Sequence, residues 1–125
     1  ALEHAHALLP AAMIARKVGR GTMTATFARL FGADPTSLPA ETVLAALPTF
    51  WTRYHDWTGI EASVHADTAE VVLGGFPGSR DVCVMVGAEL ERIVELTGAQ
   101  DVTASHPLCR IDGADACAFQ LAWSR

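Results

Sequence analysis

Charge is sparse in this chain and no sign of it is clustered. Only 18% of the 125 residues are Asp, Glu, Lys or Arg, and nine scattered Lys and Arg face fourteen Asp and Glu, for a net charge of −5. Without a basic stripe to neutralise phosphates, a direct nucleic-acid partner is disfavoured. No apolar run approaches the roughly 20 residues of a membrane span, and no charged segment leads into a short apolar one as in a secretory signal. A membrane partner is therefore not expected. Cysteine is scarce too: three residues, an odd number, do not make a disulfide scaffold. They point to thiols in a reducing compartment, hence to the cytoplasm. Nor is there a nucleophile elbow, a phosphate loop or a dinucleotide fingerprint, since GRGT at Gly19 to Thr22 lacks the Lys-Ser/Thr such a loop requires. His4 and His6 diverge on a helix, and His55 and Asp56, being adjacent, do not face each other. These residues support no enzyme.

What is abundant is apolar surface, at 50% of residues. That amount, in a chain of this length, predicts one core and a single domain over 1–125. The first residue is alanine, which suggests a segment of a longer protein. Leu2, Leu8, Leu9, Met13 and Ile14 are spaced for a helix, or a pair kinked at Pro10, ending at Gly19 and Gly21. A second helix through Phe27, Leu30 and Phe31 stops at Gly32 and Pro35, so 1–35 form a helical segment and 36–125 the core. The apolar face of the first helix exceeds what one small sheet covers, which predicts a homodimer. Val43, Leu44, Leu47, Phe50, Trp51, Tyr54 and Trp57 then follow at steps of three and four, an aromatic helix with a kink at Pro48.

After Gly59 the period falls to two. Ile60, Ala62 and Val64 alternate with polar residues, an Asp67-Thr68 turn follows, and Ala69, Val71 and Leu73 alternate again, predicting a β-hairpin. Ser79 is placed to cap a helix that buries Cys83, Val86, Leu90, Ile93 and Val94 and stops at Gly98. A second hairpin runs from about Asp101 to Trp123, turning at Asp112-Gly113. The fold class is α+β: N-terminal helices, then hairpin, helix and hairpin, giving a four-stranded antiparallel sheet with helices packed on it.

The cysteines decide what that last hairpin is for. A loop with an odd number of residues centred on Gly113 puts Cys109 opposite Cys117. Cys117, Phe119, Leu121 and Trp123 then share the apolar face. His106 stands an odd offset from Cys109, but Pro107 cannot donate to a ladder, and a bulge there brings His106 to the same side. Cys83 opens the helix that packs on this sheet, where the helix dipole favours a thiolate. Three thiolates and an imidazole are a set that tetrahedral zinc takes. Buried cysteines also behave as small hydrophobes, so on spacing alone both readings stand.

The stretch from Val82 to Trp123 resembles the C-terminal half of the 4-vinyl reductase domain, found in the sensing part of phenol- and xylene-responsive activators and related in fold to small TRAPP subunits. Cys83, Gly87, Cys109, Gly113, Cys117 and Phe119 occupy the places of that family's pattern, with His106 where Glu is common. The resemblance implies structural zinc on Cys83, His106, Cys109 and Cys117, supplying folding free energy on the order of 10 kcal/mol. A closed four-ligand site has no open position for catalysis.

Phe50, Trp51, Tyr54, His55 and Trp57 are then the candidate walls of a pocket for a small hydrophobic or aromatic molecule, or else plain core. Three functions follow: a sensing or regulatory domain, a dimerising scaffold or interaction module, and, least supported, a tetrapyrrole carrier or reductase.

Overall fold

A computed structural model of the chain describes residues 2–31, 38–54, 59–74, 80–108, 112–113 and 116–124. Helix α1 is Leu2–Phe31, α2 Ala40–Ala45, α3 Leu47–Tyr54 and α4 Arg80–Leu96. Strands β1 (Ile60–His65), β2 (Thr68–Leu73), β3 (Gln100–Leu108) and β4 (Cys117–Ser124) form one sheet in the order β1-β2-β4-β3, all pairs antiparallel. The α+β architecture expected from the period changes is the one formed. Among the described residues no helix is long and apolar enough to cross a membrane.

The expected stop at Gly19 and Gly21 does not occur, and α1 is one thirty-residue helix. A helix-ending glycine takes a positive φ, as Gly98 does at 91° after α4, whereas neither glycine of α1 does. Gly19 serves contact instead. Helices α1 and α4 pack against each other there, and a methyl group on Gly19 would collide with the Met85 carbonyl oxygen. Gly21 has open space around the same position. The two glycines therefore predict opposite substitutions. Gly21→Ala should stabilise by about 0.5–1 kcal/mol by removing backbone entropy from the unfolded chain. Gly19→Ala should destabilise by about 1–3 kcal/mol, because α4 must shift away. Thermal melts of the two variants check this, and equal shifts would mean that α1 does not approach α4 so closely.

Charge also clamps these helices. Glu91, 9% exposed, accepts from Arg16 at 2.5 Å and Arg20 at 2.6 Å, and Glu95 accepts from Arg20 at 2.6 Å and Arg92 at 3.2 Å. The Arg20 guanidinium, hydrogen-bonded to Glu95, holds that carboxyl below its usual range. The aromatic helix also differs from expectation, being broken at Ala46 into α2 and α3 rather than kinked at Pro48. Pro48 has no N–H for the Leu44 carbonyl, so the chain turns two residues earlier.

The helices cover one face of the sheet. Ala69, Val71, Leu73, Cys117, Phe119, Leu121 and Trp123 meet Val86, Leu90, Ile93 and Val94 of α4, with Phe27, Val43, Leu44, Leu47 and Trp51 completing the core. The other face exposes Ser63, His65, Glu70, Ser105 and Gln120. The first hairpin turns through Ala66 and Asp67, with His65 opposite Thr68, one residue earlier than the expected Asp67-Thr68.

Candidate metal centre

Three elements deliver one side chain each to a single point under the helical layer. Cys83 lies in the first turns of α4 and is 5% exposed, so the positive end of the helix dipole and burial act on the same thiol. Cys117 opens β4, opposite Leu73 of β2, and is fully buried. His106 arrives through an irregularity in β3. Ser105 pairs with Gln120, but the next partners are Leu108 and Ala118, so β3 takes three steps while β4 takes two. The extra residue falls at His106-Pro107. Proline cannot donate to the ladder, which is why the bulge sits there and why the imidazole reaches the cysteine side.

One potential ligand atom from each of Cys83, His106 and Cys117 lies within 4.8 Å of the other two. In a tetrahedral zinc site, ligand bonds of about 2.0–2.3 Å separate neighbouring ligand atoms by roughly 3.8 Å or slightly less. A contraction of about 1.5 Å at most converts one arrangement into the other, so the donor set is compatible with the metal in both chemistry and spacing. Cys109, the fourth expected ligand, lies outside the described residues.

Packing holds the imidazole in place. The His106 ring stacks on Phe119 with centroids 4.2 Å apart and planes 9° from parallel. Behind Phe119 stands Gly87 of α4, where a Cβ would lie 3.4 Å from the Phe119 ring. Gly87 thus leaves room for the edge of the Phe119 ring, the ring on which His106 stacks.

The expected aromatic wall is only partly on view. Trp51 is 1% exposed and belongs to the core that holds Phe27, Leu44 and Leu47. Phe50 and Tyr54 lie on α3 with side chains outside the described set, and His55 and Trp57 lie outside the described residues. Glu89, 3% exposed on α4, is a buried carboxyl that periodicity did not single out. Its position between buried Ala88 and Leu90 breaks no obvious pattern, because α4 is covered on more than one side.

No family model matches the chain, and no curated protein matches it. Its fold is nevertheless shared with solved structures. An H-NOX protein from S. oneidensis, in an Fe(II)NO ligation state, superposes with a TM-score of 0.63 at 11% identity over 91% of this chain and 66% of its own. A point mutant of the T. tengcongensis H-NOX gives 0.61 at 14% identity, over 91% and 64%. Trafficking protein particle complex subunit 3 from Naegleria fowleri, covalently bound to palmitic acid, gives 0.67 at 9% identity, over 97% and 82%. The chain thus spans about two thirds of the length of these H-NOX chains, and what it shares with all three proteins is the fold, including the TRAPP-like arrangement expected from the sequence.

Proposed function

We propose that this chain is a zinc-stabilised sensing or regulatory domain of the 4-vinyl reductase kind, binding a small hydrophobic or aromatic molecule in the cytoplasm. The convergence of Cys83, His106 and Cys117 carries the proposal, because three donors from α4, β3 and β4 meet where the family pattern implies zinc. Cys109 completes the set. Bound there, zinc would supply cross-linking, fastening the second hairpin to α4 and giving the core one rigid wall. The thiol ligands need reducing conditions, which the cytoplasm provides. Support for ligand binding comes from the fold, since an H-NOX protein is described with NO and TRAPP subunit 3 with palmitic acid.

In this reading Trp51 belongs to the opposite, adaptable wall with Phe50, Tyr54, His55 and Trp57. Small aromatics should bind with dissociation constants between micromolar and millimolar, limited by their few atoms. Saturating ligand should raise the melting temperature of the zinc-loaded protein, by about 2.7 kcal/mol of stabilisation at a hundredfold excess over Kd. Trp51→Phe should weaken the ligand response while leaving the zinc content unchanged. A broad aromatic library that shifts neither melting nor tryptophan fluorescence would remove the sensor.

The alternative is a non-catalytic dimerising scaffold. Met13, Ile14 and Val18 are 71%, 61% and 48% exposed along α1, an apolar face of the kind a second copy covers. Native mass spectrometry reads metal, ligand and subunit number together, and a ligand-free dimer favours the scaffold.

A further inference from the structure

Regular backbone sets two of the three donors at the metal centre. Cys83 is carried by α4, and Cys117 stands in the ladder opposite Leu73 of β2. His106 is the exception, because β3 leaves its register between Ser105 and Leu108 and residues 106 and 107 have no paired position on β4. An imidazole binds a metal through a lone pair in the plane of its ring, so the tilt of that plane decides whether a nitrogen faces the two thiols. A bulged strand does not by itself fix that tilt.

Phe119 supplies what the strand does not. Its ring lies 4.2 Å from that of His106 with the planes 9° apart, an arrangement that constrains the plane of the imidazole. The phenyl ring is itself held firmly: it is 1% exposed, Phe119 pairs with Val71 of β2, and a Cβ on Gly87 would come to 3.4 Å from its edge. Phe119 also stands two residues from Cys117 on the same face of β4, so one strand carries a thiol donor and the ring beside the imidazole donor. We propose that Phe119 is a positioning residue, which holds the His106 ring in a metal-binding tilt before the metal arrives and so spares the cost of ordering that side chain on binding. The inference rests on Cys83, His106 and Cys117 being the metal centre. It is particular to an imidazole, since a carboxylate at position 106 has no ring to stack.

A purely structural Phe119 would behave differently. Structural zinc binding is coupled to folding, so removing any buried ring lowers the apparent affinity through lost stability, whatever side chain stands at 106. A positioning role makes the loss depend on the imidazole, and a double-mutant cycle isolates that dependence.

The experiment measures the zinc affinity of the full chain, under reducing conditions and by competition with a chromophoric chelator, for the parent, Phe119→Leu, His106→Glu and the double variant. Phe119→Leu should weaken zinc binding by about three- to tenfold more in the parent than in the His106→Glu chain, the range expected of one aromatic pair. Equal losses in the two backgrounds overturn the proposal and leave Phe119 as core, with the metal centre intact. A parent chain that binds no zinc removes the metal centre and the positioning role together. A second measurement uses the unaltered chain, in which the carbon-bound ring protons of His106 should give nuclear Overhauser cross-peaks to the Phe119 ring with zinc bound. Their absence means that the rings part when the metal binds, and it overturns the proposal even where Phe119→Leu fails to fold.

Discussion

Chain prepared without metal under reducing conditions is expected to melt far below the zinc-loaded chain, with elemental analysis finding about one zinc per loaded chain. The donors come from three elements, so the metal links α4, β3 and β4 at the position where Cys117 is wholly buried. Structural zinc contributes on the order of 10 kcal/mol, comparable with the whole stability of an ordinary domain, so the metal-free chain should be largely unfolded at the melting midpoint of the loaded form. Cys117→Ala should lose both the metal and most of that gain. Had the cysteines been only small hydrophobes, the same substitution would delete one buried sulfur, bind no metal before or after, and cost little. His106 gives a finer test. A carboxylate also binds zinc, so His106→Glu should retain metal where His106→Ala weakens it. Equal melting of the metal-free and zinc-treated chains would sink the site.

The parts of this centre were legible because each left a local mark. A proline beside His106 forecast the bulge that β3 shows, and the alternation after Cys117 forecast the buried face of β4. The turn at Asp112-Gly113 was read from the residues, and Gly113 has the positive φ, 97°, that such a turn requires. What escaped depended on contacts between elements distant in sequence. Gly19 carries the same letter whether it ends a helix or admits a neighbour, and only the Met85 backbone beside it decides. Likewise the Arg16, Arg20, Glu91 and Glu95 clamp joins residues more than seventy apart. Trp51 could be read as core or as pocket wall from its spacing, and its burial alone leaves it fit for either. Periodicity gives the face a residue occupies but not what stands opposite, and that second fact also determines the fate of Glu89.

The chain should lose stability between about pH 4.5 and 7 through a single carboxyl, that of Glu89. Burial on α4, between Ala88 at 1% exposure and Leu90 at 0%, pushes its pKa up from 4.5 to about 7. Below pH 4.5 the group is protonated in the folded and unfolded chains alike and contributes nothing. From there to about pH 7 the unfolded chain has released the proton while the folded chain still holds it, so each pH unit removes about 1.4 kcal/mol. Above about pH 7 both forms are ionised, and the accumulated cost, about 3 kcal/mol, no longer grows. Glu89→Gln removes the titration and keeps the shape. At pH 8 the variant should therefore melt higher than the parent by about 10 °C, and at about pH 4 the two should nearly coincide. The diagnostic quantity is the difference between parent and variant at each pH, because every other group is common to both chains. Two melting curves that stay parallel from about pH 4 to pH 8 would mean that Glu89 is solvated in the folded chain, and that water or a neighbouring donor reaches the inside of α4.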